Sequence, residues 1–196
     1  MAVSEYGLVS ILKSNQRMVL LWWISVTVPE IYMTGDLQQP FKLAVFNLLI
    51  IGCGVLDYYY GRLFNQLTAL TGFTGLIFSC YGQGAALGLC LEGSLVFGGI
   101  LFVLRVVSRN GLGAGDVKFG FALGIWLGPE ASLAAVYIAF VTGGIYGLFY
   151  LWYKGIHLWQ AGMITIPFGP FMALGGSAGM IWGKDALAAW LSLLQI

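Results

Sequence analysis

Long apolar runs separated by short polar breaks fill most of this chain. Seven such runs can be traced: Met18–Met33, Leu43–Tyr60, Leu67–Cys80, Ala85–Leu104, Asp116–Gly128, Ala131–Tyr153 and Met163–Trp182. A helix needs about 20 residues to cross the hydrocarbon core of a bilayer, with a range of roughly 17–25. The pattern therefore predicts an all-α membrane protein, a bundle of about seven transmembrane helices. The two shortest runs either need their glycine-rich flanks to span the core or cross a part of the membrane that is thin or solvated.

Composition supports a membrane location and narrows the function. Of the 196 residues, 59% are hydrophobic and 9% are charged, whereas a soluble domain carries about 25% charged residues. The net charge is +1 and the basic residues form no dense patch, so we expect no nucleic-acid partner. Three cysteines and one histidine form neither a Cys-x-x-Cys pair nor a ligand cluster. We therefore expect neither a metal nor a cofactor.

The sequence predicts one domain. No linker and no internal repeat divides the chain. We expect a single membrane-embedded domain over residues 1–196, with an N-terminal extension and first span at 1–40 and a core with both aspartates at 41–183. No cleavable signal peptide is expected, because the segment before Met18 is short and charged and leads straight into an apolar run.

Lysine and arginine placement predicts the orientation. With seven spans, one side of the membrane holds Lys13, Arg17, Arg62, Arg105, Arg109, Lys118 and Lys154, and the other side holds Lys42 and Lys184. Basic residues accumulate on the cytoplasmic side of multi-pass membrane proteins. We therefore assign the first side to the cytoplasm.

Two aspartates are the strongest chemical signal. Asp57 lies near the end of one apolar run and Asp116 begins another, and the predicted orientation places both at the cytoplasmic edge. A carboxylate at membrane depth is costly and usually serves a function. Two carboxyls close together in a low dielectric share one proton, so one can activate water while the other protonates a carbonyl. The pair therefore predicts an aspartic hydrolase.

The same residues allow a second hypothesis. Asp57, Asp116 and Glu92 could form the proton relay of a small proton-coupled transporter or channel. A relay requires Glu92, whereas a hydrolase does not. Span counting places Glu92 nearer the outer end of its helix, on the opposite side of the bilayer from both aspartates.

Three motifs follow one another along the chain. Asp57 is followed, after five residues, by Leu63-Phe64-Asn65; Gly113-Ala114-Gly115-Asp116-Val117-Lys118 precedes Ala122-Leu123-Gly124 and Trp126-Leu127-Gly128; and Ile166-Pro167-Phe168-Gly169-Pro170-Phe171 comes last. Together they resemble the signature of the type IV prepilin leader peptidases, which are GxGD intramembrane aspartic proteases. The likeness extends roughly from Asp57 to Gly176. One departure is Leu63-Phe64, where the family has Ile-Pro.

The resemblance implies a function and a set of site residues. It implies an aspartic endopeptidase of the bacterial inner membrane that cleaves the leader of type IV prepilin or pseudopilin precursors at the cytoplasmic face. Asp57 and Asp116 would be catalytic, and the residues that bind substrate or shape the site would be Gly113, Gly115, Lys118, Asn65, Pro167, Gly169 and Pro170. The implied partners are the precursor and membrane lipid. Longer relatives carry an N-terminal domain with Cys-x-x-Cys pairs, so we expect a short form whose product is not methylated.

Lys118 and two prolines receive separate interpretations. Lys118 lies about 200° around a helix from Asp116, so we expect it to point away from the aspartate and reach the cytoplasmic interface as a topology anchor. Pro167 and Pro170 either kink the last span or free backbone groups that hold an extended substrate.

Overall fold

The described part of the chain is built from helices. The computed structural model describes residues 24, 28, 38–81, 86–109, 111–155 and 166–193. The helices are α1 (Gln38–Tyr60), α2 (Asn65–Tyr81), α3 (Ala86–Val107), α4 (Ala114–Lys154) and α5 (Gly169–Leu193). The prediction of an all-α protein is confirmed over these residues.

Three of the described helices can cross a membrane by length and apolar composition. The qualifying segments are Phe41–Tyr60 in α1, Leu87–Val107 in α3 and Ala114–Lys154, which is the whole of α4. The predicted count of about seven spans is not confirmed. Most of the first predicted run, Met18–Met33, lies outside the described residues.

α4 is a helical hairpin with its bend at Gly128. Before the bend, Leu123 lies against Gly176 of α5, and after the bend, Ala139 lies against the adjacent Gly175. In an unbroken helix, Leu123 and Ala139 would be about 24 Å apart along the axis, and they could not both contact neighbouring residues of α5. The chain therefore doubles back at Gly128.

The sequence explains why the bend occurs at this point. Gly128 has φ 74° and ψ 177°, a conformation that glycine adopts without the strain a side chain would cause. Pro129 comes next, and because proline has no N–H it is tolerated where a helix begins. The two limbs, 114–127 and 129–154, correspond to two separate predicted runs. The predicted boundary between these runs is therefore confirmed.

Small residues let the helices approach closely. α3 packs on the first limb of α4, with Gly93 against the backbone of Gly124, and α5 packs on the second limb, with Gly179 against Ala135. Apolar side chains gain nothing by leaving lipid, so close backbone packing is a main source of helix association in membranes. Large fully buried side chains fill the space between the helices: Phe46, Ile50, Phe97, Phe119, Leu123 and Met172.

Buried hydrogen bonds fix how α1 and α2 sit on the other helices. Trp126 Nε1 in the first limb of α4 donates to the backbone oxygen of Thr71 in α2 at 2.7 Å. Ser177 Oγ in α5 donates to Asn47 Oδ1 in α1 at 3.0 Å. A polar group without a partner would be costly at these positions, so the bonds specify how the helices are placed. The end of α1 and the starts of α2, α4 and α5 meet at one end of the bundle, where the Gly169 N–H bonds to Asp57 and Lys118 bonds to Asn65.

The last helix starts later than the sequence predicted. The run Met163–Trp182 predicted a helix from residue 163, but α5 begins at Gly169. Pro167 lies in the non-helical segment just before α5, and Pro170 is the second residue of α5. Proline is tolerated there because N–H groups in the first turn have no partner within the helix. The interpretation of these prolines as kinks within the span is therefore wrong.

Candidate active site

Asp57 is held by the start of α5. The side chain lies in the last turn of α1 and is 5% exposed. The backbone N–H of Gly169 donates to Asp57 Oδ2 at 2.7 Å. This N–H is free to do so because the first residues of a helix have no intrahelical acceptor. A Cβ atom at Gly169 would lie 2.8 Å from the same oxygen, so the contact depends on glycine.

Asp116 is held by a glycine in a similar way. Gly113 is the N-cap of α4, with extended backbone (φ −62°, ψ 141°), and Asp116 lies in the first turn. The Asp116 carboxylate reaches back to the backbone N–H of Gly113. This is the capping-box arrangement, in which the acidic side chain three residues into a helix accepts from the N-cap N–H. A Cβ atom at Gly113 would lie 2.8 Å from Asp116 Oδ2.

The structure brings the two aspartates to one end of the bundle. Asp57 and Asp116 are close enough to interact electrostatically. Leu63, in the turn after α1, packs against Gly115, where a Cβ atom would lie 3.1 Å from the Leu63 Cβ. Asp57 is buried, whereas Asp116 is half-buried. Two carboxyls in a partly enclosed site, each with one oxygen held by a backbone N–H, suit acid–base chemistry on a bound molecule.

Lys118 and Asn65 join two helix starts beside the aspartates. Lys118 Nζ donates to Asn65 Oδ1 at 3.0 Å, and both side chains are exposed. Asn65 is the first residue of α2 and Lys118 lies in the first turns of α4. The bond therefore fastens the segment that follows Asp57 to the helix that carries Asp116.

The remaining predicted residues fall into two groups. Pro167 and Pro170 lie within two residues of Gly169, whose backbone N–H bonds to the carboxylate of Asp57. Glu92 is exposed on α3, and the adjacent Gly93 packs on Gly124 and Gly128 near the bend of α4. Gly128 is about 18 Å along the first limb from Asp116. Glu92 is therefore not brought together with the aspartates.

Arg105 is a site residue that the sequence analysis treated only as a topology marker. Its guanidinium donates to the backbone oxygen of Leu112 and interacts electrostatically with Asp116. Arg105 thereby fastens the turn between α3 and α4, which ends at the glycine that holds Asp116. One signal was present in the sequence, because an arginine at the very end of an apolar run usually has a specific partner.

Comparison with known proteins gives an independent line of evidence. The model of the type IV leader peptidase family matches residues 43–148. A prepilin leader peptidase/N-methyltransferase of Burkholderia pseudomallei (strain 1026b) is 33% identical over 150 residues, which are 72% of this chain and 47% of that protein. Proteins of the same name from Aeromonas salmonicida (strain A449) and Xanthomonas campestris pv. campestris are 30% and 27% identical, over 64% and 84% of this chain and 43% and 58% of their own lengths. No solved structure matches the chain.

The matched regions set the extent of the likeness. The chain spans about half the length of the curated relatives it matches. The family match covers both aspartates, Asp57 and Asp116, and most of the α4 hairpin, and it ends before Gly169.

Proposed function

The chain belongs to the type IV leader peptidase family, and from this premise we propose that it is a membrane aspartic endopeptidase with Asp57 and Asp116 as the catalytic pair. The observation that carries the proposal is the convergence of the two carboxyls at one end of the helix bundle, each held by a glycine N–H. The relatives are named prepilin leader peptidase/N-methyltransferase, and the proposed substrate of this chain is accordingly the leader of a prepilin or a pseudopilin precursor.

The reaction follows from the shared proton of the pair. One carboxyl is ionised and removes a proton from water, and the water oxygen attacks the scissile carbonyl carbon. The other carboxyl is protonated and donates its proton to the carbonyl oxygen. When the C–N bond breaks, the first carboxyl returns its proton to the leaving amine. The second carboxyl takes back a proton from one hydroxyl of the tetrahedral intermediate, which leaves as a carboxylic acid and restores the starting state of the pair. The glycine N–H groups occupy one oxygen of each aspartate, which leaves the second oxygen of each carboxyl for water and substrate.

The position of the pair fits a substrate with an extended leader before an apolar helix. The aspartates lie at helix ends, so a precursor anchored in the bilayer by its own helix can present its leader there. The exposed Lys118 and Asn65 lie beside the pair, where they can contact an extended chain. Pro167 and Gly169 form the other border of the site. That backbone groups of this segment hold the extended substrate remains a prediction.

We place this site at the cytoplasmic face of the bacterial inner membrane. The basic residues in the described part of the chain support this orientation. Five of them lie at or beyond the end of the bundle that carries the aspartates, namely Arg62, Arg105, Arg109, Lys118 and Lys154. Lys42 lies near the start of α1, at the other end. Such an excess is typical of the cytoplasmic side.

A seven-span topology remains our proposal for the whole chain. In the described part, α1, α2, α3, the two limbs of α4 and α5 correspond to six of the predicted apolar runs. Met18–Met33 supplies the seventh. The alternative of a proton-coupled transporter is not favoured, because Glu92 lies at the opposite end of the bundle from the aspartates.

Coexpression with a prepilin precursor tests the proposed function. The host should lack its own leader peptidase, and the mass of the pilin should be measured by mass spectrometry. We expect the pilin to lose its leader when the full chain is present. Precursor that keeps its leader, although the protein is inserted in the membrane, would contradict the proposal for that precursor class.

A further inference from the structure

A cavity of about 280 Å³ lies where α1, α2, α3 and the bend of α4 meet. Its walls include Lys42, Phe78, Ser79, Leu89, Cys90 and the bend segment 125–130, and we call it the bend cavity. Lys42 precedes Asp57 by fifteen residues in α1, which is about 22 Å along the helix. The bend cavity is therefore at the opposite end of the bundle from the aspartates, and the proposed peptidase reaction makes no use of it.

The walls of the bend cavity carry both signs of charge. Lys42 contributes an ammonium group from α1, and Glu130 contributes a carboxylate from the start of the second limb of α4. A cavity lined by one cation and one anion is suited to a ligand that is itself a zwitterion, because each ligand charge finds an opposite charge in the wall.

Two aromatic rings complete the wall on the side of α2 and α4. Phe78 and Trp126 pack with their ring centroids 5.3 Å apart, and Trp126 also packs on Phe46 at 5.2 Å. The indole N–H of Trp126 is already bonded to the backbone oxygen of Thr71. These rings are therefore fixed in place. Trp126 is 5% exposed, so the half-buried Phe78 is the ring that offers π-electron density to a cation.

The bend adds an acceptor on the same side. In a regular helix the carbonyl of Ile125 would accept from the N–H four residues later, but that residue is Pro129, which has no N–H. Ile125 lines the cavity next to Trp126. A carbonyl without its helical donor, an aromatic ring and the carboxylate of Glu130 together favour an ammonium group on this wall.

The level of the cavity indicates where its ligand comes from. Lys42 is near the start of α1, Phe78 is near the end of α2 and Leu89 is near the start of α3. Helix ends of a membrane bundle lie in the headgroup layer that borders the hydrocarbon core of about 30 Å. This holds whichever end of the bundle faces the cytoplasm.

We propose that the bend cavity binds a phosphoethanolamine headgroup, with the phosphate at Lys42 and the ammonium at Glu130 and the Phe78 ring. Two sources can supply this chemistry: a membrane phosphatidylethanolamine or a soluble glycerophosphoethanolamine. The lipid source fits the apolar part of the wall, where Leu89 and Leu127 can contact the beginning of the acyl chains. This site stands independently of the proposed peptidase function.

Lipid titration of the full chain tests this proposal. The protein is purified in detergent, stripped of lipid and titrated with phosphatidylethanolamine, while native mass spectrometry reports the bound lipid. Phosphatidylglycerol serves as the probe that has a phosphate but no ammonium. We expect one phosphatidylethanolamine per chain, bound more tightly than phosphatidylglycerol. Lys42→Gln and Glu130→Gln should each weaken its binding by about tenfold or more, since each removes a charge-assisted contact.

Matched variants separate the site from general effects on the protein. Glu92→Gln removes an exposed carboxylate that does not line the cavity, and Lys154→Gln removes an exposed cation at the far end of α4; both should bind the lipid as the wild type does. Lys42→Arg keeps the cation and should retain lipid binding. It therefore tests the role of the positive charge even if Lys42→Gln does not fold. Melting temperatures of all variants accompany the titrations.

The outcomes distinguish the lipid from the soluble headgroup as the ligand, and they can overturn the proposal. If glycerophosphoethanolamine displaces the lipid at similar concentrations, the site takes the soluble headgroup; if it does not, the site takes the lipid, and both results support the headgroup chemistry. Wild-type preference for phosphatidylglycerol, or unchanged phosphatidylethanolamine binding by a folded Glu130→Gln variant, would overturn the proposal.

Discussion

At the residue scale, the site depends on two glycines as well as on two aspartates. Gly113 and Gly169 each donate a backbone N–H to one carboxylate, and a methyl group at either glycine would come within 2.8 Å of a carboxylate oxygen. The peptide N–H groups fix the direction in which each carboxyl faces. Small changes at these glycines should therefore lower the rate of cleavage.

Gly169→Ala tests this dependence. The added methyl collides with Asp57 and weakens its bond to the residue 169 N–H, so we expect kcat/KM for leader cleavage to fall by about 10- to 100-fold, the value of a lost hydrogen bond to a charged group. The rate is measured on purified protein with a prepilin substrate. The control is Gly144→Ala, because a Cβ atom there meets nothing within 4 Å. Equal rates for the two variants would contradict the proposed role of Gly169.

Arg105 provides a second prediction at this scale. Arg105→Met removes the bond to the Leu112 carbonyl and releases the turn that positions Asp116. We expect kcat to fall by about tenfold or more with little change in KM, because the substrate contacts are intact. Arg105→Lys, which keeps the charge and one donor, should recover part of the loss. Lys154→Met at the end of α4 is the control. A rise in KM at unchanged kcat in Arg105→Met would show that Arg105 binds substrate instead.

At the element scale, the apolar runs predicted most helices but not their ends. Hydropathy found the boundary between the two limbs of α4, because Gly128 and Pro129 interrupt the apolar pattern. It extended the last helix back to residue 163, whereas residues 166–168 are not helical and α5 begins at Gly169, because an apolar count does not register that proline favours the first turn of a helix. Nor could it show that the two limbs fold back on one another, which depends on their separate contacts with α5.

The bend of α4 gives a stability prediction. Any residue at position 128 must adopt backbone angles of φ 74° and ψ 177°, which strain a residue that has a side chain. Gly128→Ala should therefore lower the free energy of unfolding by about 1–3 kcal/mol. Unfolding in mixed detergent micelles measures this change. Gly99→Ala is the matched control, because a Cβ atom there has open space and the backbone is helical. If both variants are equally stable, the backbone at the bend is not what the structure describes.

At the scale of the whole molecule, charge placement and site placement agree. Positions 62 and 109 lie at the end of the bundle with the aspartates, and position 42 lies at the other end. The sequence could predict this grouping at one end of the bundle because it depends only on the order of the spans along the chain, and the side of the membrane that this end faces stays a prediction. The bend cavity could not be predicted in this way, because its charges at Lys42 and Glu130 come from helices that are distant in sequence.

Cysteine labelling tests the sidedness. Cys53 and Cys90 are buried and Cys80 is exposed, so the background is Cys80→Ser. Arg62→Cys and Arg109→Cys should react with an impermeant maleimide only after the cytoplasmic side is opened. Lys42→Cys should react from the outside. Lys184→Cys, whose side chain lies outside the described part, should also react from the outside. The reverse pattern of labelling would place the aspartates outside the cytoplasm.

The rate of leader cleavage by the two aspartate variants tests the central claim most directly. Asp57→Asn and Asp116→Asn keep the size of the side chain but cannot share a proton, so each should reduce the initial rate by about 10²- to 10⁴-fold, the usual contribution of acid–base catalysis. Glu92→Gln, which changes a carboxylate at the other end of the bundle, should stay within about tenfold of the wild type. Near wild-type cleavage by either asparagine variant, with normal membrane insertion, would contradict the assignment of Asp57 and Asp116 as the catalytic pair.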